Sequence, residues 1–250
     1  MAQLINRVGE TFTSKVFGVI KIVEYFTNRN CTIQFEDGTI VKNIQYGHLK
    51  DDQIKNPNTP NIHGVGFIGQ GNYTSWKEHL RIYKTWVGVL DRCYSTRLHE
   101  IHPTYIGCTA DPNWHNYQVF AKWYEENFKH HMGSWHLDKD ILQKGNKIYS
   151  PETCCFVPSQ INTLFTKGKS VRGAYPIGVG INKSNKFHAR ISRDSKTRIH
   201  LGTFDTSGEA FQAYKTAKED YIKEVAELWK DSISENTYKA LYNYKVEITD

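Results

Sequence analysis

The 250-residue sequence reads as an α+β chain in three modules: a small N-terminal β-barrel-like module, a central strand–loop–strand–helix core with flanking helices, and a C-terminal three-stranded sheet plus helix. Three observations lead there. Short β-rich runs punctuated by turn residues fill the first fifty positions, helical apolar spacing takes over from about Ser75, and after Tyr175 three short alternating segments give way to one long amphipathic stretch. Hydrophobic residues at 39% with a mean hydropathy of −0.59 are few for one large core, while 13% aromatic residues supply much apolar area per side chain, so several small cores are expected.

In residues 1–57, "VFGVIKIVEYF" and "CTIQFEDGTIVKNIQYGHL" are the β-rich runs. Asp37-Gly38, between Ile33-Gln34-Phe35 and Thr39-Ile40-Val41, signals a two-residue hairpin turn, because Asp-Gly readily takes positive φ. Residues 58–74 belong to "KNPNTPNIHGVGFIGQG", whose Asn, Pro and Gly disfavour helix and strand interiors; the segment reads as a linker or a loop laid over the surface. Its glycines lack the strand, spacing and helix of a nucleotide loop, so phosphate binding is not expected there.

Residues 75–166 form the central module. From Ser75 to Tyr94, Trp76, Leu80, Tyr83, Val87 and Leu90 recur at spacings of three and four, predicting one buried helical stripe. A second helix over about Asn113 to Phe128 carries Tyr117, Phe120, Trp123, Tyr124 and Phe128 on one broad face, as core rather than as a base-stacking platform. His130-His131 reads as a solvated helix end. Then "WHLDKDIL" is a strand, "QKGNKIYSPET" a loop, "CCFVP" a second strand and "SQINTLF" the start of a helix. Residues 167–174, within "TKGKSVRGAYP", form a second linker.

Residues 175–230 form the last module. "IGVGINK", "KFHARISR" and "RIHLGTF" are strands separated by turns at Ser184-Asn185 and around Asp194-Ser195. In the following helix Ala210, Tyr214, Ala217, Tyr221, Val225 and Leu228 share a stripe, and Thr206-x-x-Glu209 is a capping box at its start. The tail, 231–250, gives no reading.

The formal charge of +6 matters only if it is concentrated on one face. It is concentrated in the last module: Lys183, Lys186, His188, Arg190, Arg193, Lys196 and Arg198 stand there with Asp194 as the one acid among them. Alternation puts Lys186, His188, Arg190 and Ser192 on one face of the strand and Phe187, Ala189 and Ile191 on the other. A three-stranded sheet with such a face can lie in the major groove of double-stranded DNA; the bland alternative is a solvated polar face with no partner. Five cysteines make no disulfide framework, no leader starts the chain, and no apolar run reaches the roughly 18 residues of a membrane span, so a soluble protein of a reducing cytoplasm is expected. The N-terminal module is a candidate site for a protein partner.

"IGVGINKSNKFHARISRDSKTRIHLGTFDTSGEAFQAYKTAKEDY" resembles the Apetala-type, ethylene-response-factor-like DNA-binding domain, with Phe187 where plant members usually have tryptophan. The resemblance implies DNA contacts from Lys183, Lys186, Arg190, Arg193 and Arg198. The central segment "HLDKDILQKGNKIYSPETCCFVPSQIN" resembles the HNH (ββα-metal) endonucleases, particularly the homing type of phages and mobile elements, which implies a bacterial host cytoplasm. "W…RCY…W…F…WY", from Trp86 through Arg92-Cys93-Tyr94, Trp114 and Phe120 to Trp123-Tyr124, fits the same group.

That resemblance implies a metal-dependent DNA endonuclease in which Asp138 and Asn162, with Asp140 beside them, hold Mg²⁺ or Mn²⁺, and Thr153 pins the two strands. One divalent ion would offset charge on the scissile phosphate while a base takes a proton from water. The departure is Lys139, which stands where the family has its histidine base. Three readings stand: Lys139 is a base or phosphate clamp; His136, about 7 Å earlier along the strand and on the face of Asp138 and Asp140, takes the base role; or the core is inactive and the chain is a non-catalytic DNA-binding protein, a regulator or blocker of host functions. Structural zinc on Cys93, Cys108, Cys154, Cys155 and His115 is not expected, since no Cys-x-x-Cys pair occurs and adjacent cysteines on a strand point apart.

Overall fold

The computed structural model describes residues 6–128, 133–165, 175–193 and 197–250. The readings at His130-His131, the linker 167–174 and the turn with Asp194, Ser195 and Lys196 lie outside the described residues. The fold is α+β with several small sheets. Two compact units are formed, one from residues 1–100 and 112–122, the other from 101–111 and 123–250.

In the first unit, strands β1 (Thr11–Ser14), β2 (Gly18–Thr27), β3 (Asn30–Phe35) and β4 (Ile40–Ile44) form an antiparallel meander in the order β1-β2-β3-β4. No closed barrel is present among the described residues, which corrects the barrel-like expectation. Closure would need hydrogen bonds between the edge strands β1 and β4. Instead the apolar face, with Ile20, Ile22, Cys31, Ile33 and Phe35, is covered by Leu49 of the short helix α1 (Tyr46–Lys50) and by Ile54. The β3–β4 turn also differs from expectation: Phe35 N–H donates to the Thr39 carbonyl at 2.9 Å, so three residues make the loop, with Gly38 at φ 85° and the Asp37 carboxylate accepting from Thr39 N–H at 2.9 Å.

Residues 58–74 are bonded down along their length. Phe67 exchanges backbone hydrogen bonds with His115 and Tyr117, both 2.9 Å, and the Gln118 amide donates to the carbonyls of Ile68 and Tyr73. Helix α2 (Leu80–Tyr94) starts later than the apolar spacing suggests, because Lys77 takes φ 52° and allows only a 3₁₀ turn before Leu80. Its buried stripe is Ile82, Trp86, Val89, Leu90 and Cys93; Trp76 is 55% exposed, with the Lys77 ammonium 4.2 Å from its ring centre. The expected stripe therefore coincides with the buried one only at Leu90. Helix α3 (Thr96–Ile101) follows, and Trp86 Nε1 donates to the Trp114 carbonyl at 2.6 Å.

Helix α4 (Tyr117–Asn127) buries Tyr117, Phe120 and Tyr124, so its aromatics are core as read. In the second unit, short β5 (Thr109–Ala110) pairs in parallel with β7 (Ile148–Tyr149), a strand inside the segment read as a loop. Strands β6 (Trp135–Asp138) and β8 (Cys155–Pro158) are antiparallel, with Trp135 opposite Pro158 and Asp138 opposite Cys155, and α5 (Ser159–Leu164) follows directly. Phe156 packs against Tyr124 and Phe128, with ring centroids 4.9 and 5.0 Å away.

Strands β9 (Val179–Ile181), β10 (Phe187–Ser192) and β11 (Arg198–Phe204) form an antiparallel sheet in the order β11-β10-β9, followed by α6 (Ser207–Trp229). Both halves of the Thr206–Glu209 capping box are formed. Ala210, Tyr214, Tyr221 and Val225 are buried as read, whereas Leu228 is exposed. The tail supplies α7 (Glu235–Tyr242), capped by the Ser234 hydroxyl. One cluster of buried residues joins Ile141, Cys155, Val157 and Ile161 to Ala189, Ile191, Tyr214, Ile222, Leu241 and Val246. The β6–β8–α5 unit, the three-stranded sheet and the tail thus share a core.

Candidate functional site

The first site is the end of β6. Strand pairing stops at Asp138 because one carboxylate oxygen, Oδ1, accepts the backbone N–H groups of Asp140 at 2.7 Å and Ile141 at 2.8 Å, which bends the chain. Its other oxygen has no protein partner among the described residues. Burial pushes the Asp138 carboxyl above its ordinary range, against the opposing pull of the two N–H groups and Lys139. Asn162, half-buried on α5, makes no side-chain hydrogen bond among the described residues.

Because β6 ends at Asp138, alternation does not continue to Asp140, which corrects its placement on a shared strand face. Its exposed carboxylate accepts from Lys139 Nζ at 2.8 Å. Lys139 is 7% exposed, and the ammonium also donates to the Asn146 carbonyl at 2.6 Å. Both bonds stay within the segment that links β6 to β7. Asn146 completes the arrangement: its Nδ2 donates to the carbonyls of Lys139 at 2.9 Å and Ile148 at 2.6 Å, and its Oδ1 accepts from Ile148 N–H at 3.0 Å. Thr153, expected to pin the strands, bonds locally, to the Ile148 carbonyl at 2.7 Å and to Ser150. The tie across the loop is Asn146, which the sequence signalled only as the residue after Gly145 in a turn-like "KGNK".

His136 is exposed and lies on the face of β6 that carries Asp138. Its Nε2 is 2.9 Å from Ser159 Oγ and 3.3 Å from Ser134 Oγ, while the Ser159 hydroxyl donates to the Ser134 carbonyl at 3.0 Å.

Asp138 thus offers one open carboxylate oxygen, and Asn162 an amide oxygen without a hydrogen-bond partner among the described residues. Two hard oxygen ligands fit a Mg²⁺ ion that keeps most of its waters, and a cation would stabilise the buried carboxylate as an anion. Among the described residues no three His, Cys, Asp or Glu side chains gather in a metal-holding group. Cys154 and Cys155 are buried, and burial pushes both thiols up to about 12.

The second site is the exposed face of the C-terminal sheet. Register places Arg190 opposite His200 and Ser192 opposite Arg198, and cross-strand partners share a face. A bulge between Ala189 and Arg190 leaves Leu201 unpaired and uses Gly202 at φ 141°, which keeps His188, Arg190, His200 and Arg198 on one side. Ala189 and Ile191 point to the core beneath. Lys183 is exposed in the β9–β10 turn, where the Asn182 side chain accepts from the N–H groups of Ser184 and Lys186.

Lys183, Arg190 and Arg198 have no acidic partner among the described residues. Lys186 pairs with Asp205. Arg193 is held toward α6, its guanidinium 3.1 Å from Glu224 and 5.1 Å from the Tyr221 ring centre. His200 was missed in the sequence, although its two-residue spacing from Arg198 was a signal. Comparison with protein-family models, curated proteins and solved structures found no match for this chain. Among the described residues no helix is long and apolar enough to cross a membrane.

Proposed function

We propose that this chain is a metal-dependent endonuclease of HNH type that holds duplex DNA on the exposed face of β9–β11 and cleaves it at the β6–β8–α5 unit. The observation that carries the reading is the sheet face: Arg190 and Arg198 project from it and Lys183 is exposed in the adjoining β9–β10 turn, none of them with an acidic partner among the described residues, over a core that leaves the face free. Such a row suits phosphates and guanine edges. At the end of β6, Asp138 and Asn162 would hold Mg²⁺, which when bound supplies charge compensation at the phosphate. Of the two base candidates, the solvent-exposed His136 imidazole is better placed to receive a proton from water than the Lys139 ammonium, which is buried against a carbonyl and a carboxylate.

The same burial of Lys139 favours a second reading, a DNA-binding protein without hydrolytic activity. One experiment separates the two. Supercoiled plasmid is incubated with the protein and Mg²⁺ or Mn²⁺, beside Asp138→Ala and His136→Ala. Nicking that needs metal and is lost in both variants supports the enzyme; binding without cleavage in either metal rejects it and leaves the second reading.

A further inference from the structure

The sheet face carries two imidazoles among its permanent cations. The rings of His188 and His200 lie 6.3 Å apart, and Arg190 stands between them in sequence and directly opposite His200. From β9, Gly180 pairs with His188, whose ring lies over it: a Cβ there would stand 2.6 Å from His188 Nε2. From β11, Thr203 stands opposite His188 and Arg198 flanks His200. Asp205, just beyond the end of β11, is taken up by Lys186. No described carboxylate on the face is therefore positioned to neutralise a protonated imidazole.

We propose that His188 and His200 form a protonation-gated part of the DNA-binding face, adding phosphate-binding charge to that of Lys183, Arg190 and Arg198 as the pH falls. The inference rests on the DNA-binding reading above and supplies its regulation. Imidazole is the side chain that ordinarily changes charge near pH 6.5. In the free protein, partial burial and then the neighbouring Arg190 and His200 hold His188 below its ordinary range, so the proton is taken up below that point. A polyanion lying over the sheet favours the charged form, and linkage requires affinity to rise as pH falls.

The test is the salt dependence of binding to a random-sequence duplex, measured on the full chain at pH 7.5 and pH 5.5. Each phosphate-bound cation contributes about 0.9 to the slope of log affinity against log salt, so two imidazolium groups steepen it by up to about 1.8. We expect that steepening in the wild type, about half of it in His200→Gln, and none in His188→Gln/His200→Gln. His200→Gln alone keeps the test decisive if the change at His188, which packs on Gly180, prevents folding. A wild-type slope equal at both pH values, or a full increase retained in the variants, overturns the inference while leaving DNA binding intact. Absence of binding at both pH values overturns the DNA-binding reading and this inference together.

Discussion

Lys139→Met removes the buried ammonium and keeps the aliphatic stem, so it asks whether Lys139 serves as a structural tie. The donation to the Asn146 carbonyl at 2.6 Å is lost in surroundings where water cannot replace it. A hydrogen bond from a charged group contributes about 1.5–3 kcal/mol. The pair with Asp140, whose side chain is half exposed, adds at most about 1 kcal/mol, and relief of the desolvated ammonium offsets part of the sum. A net loss of roughly 2–3 kcal/mol falls on the segment from Lys139 to Tyr149, with Asn146 and Ile148 at its centre. At about 1.4 kcal/mol per tenfold, amide exchange at Ile148 should accelerate about 30- to 150-fold. Hydrogen exchange with mass spectrometry, at a pH where exchange follows the opening equilibrium, measures this directly. Unchanged protection across residues 146–149 with abolished nicking would refute the structural tie and restore Lys139 as a reacting group.

Two other changes test the packing around the sites. Gly178→Ala should cost 3 kcal/mol or more on the order of a strained core change, since Gly178 has φ 78° and a Cβ would stand 2.0 Å from the Tyr214 ring; urea denaturation reads it, and a cost below about 1 kcal/mol contradicts the close approach. Burial acts against the charge of Glu219, but Lys215, the Val246 N–H and Lys245 outweigh it and hold the carboxyl below its ordinary range. Its folded value being depressed, Glu219 contributes stability above the unfolded value near pH 4.3 that is lost as pH falls through the folded value; Glu219→Gln should flatten the urea midpoint against pH between about 3 and 5, and an unaltered profile rejects the role.

Period carried most of what the sequence told. The change from two to 3.6 residues located the last sheet and α6, and Thr206 with Glu209 marked the helix start to the residue, because a cap is a local bond between residues three apart. The strand, loop, strand and helix from Trp135 to Leu164 were legible for the same reason. The fate of Lys139 and Asp140 was not. Asp138 turns the chain through its own side chain, so alternation stops one residue before the position in question, and where Lys139 goes is set by a carbonyl seven residues ahead.

The stripe of α2 failed differently. Apolar residues occupy two overlapping helical faces, and only packing chooses between Trp76, left outside, and Trp86, fully buried. His200 required the register of β11 against β10, which depends on a bulge. The tail could not be read because α7 buries little beyond Thr237 and Leu241. Its contribution comes through residues distant in sequence, since Leu241 and Val246 share a core with Cys155.

The core shared by Ile141, Val157, Ile161, Leu241 and Val246 has a consequence for synthesis on the ribosome. Lys144, beside β6, is bonded to Asp250 at 2.8 Å and to the Lys245 carbonyl at 3.1 Å, partners made about a hundred residues later. A nascent chain that has just released the β6–β8–α5 unit holds its apolar side uncovered until α6, α7 and residues 243–250 emerge. Contacts so distant along the chain close slowly. Ribosomes stalled between residues 165 and 230 should therefore display a protease-sensitive intermediate.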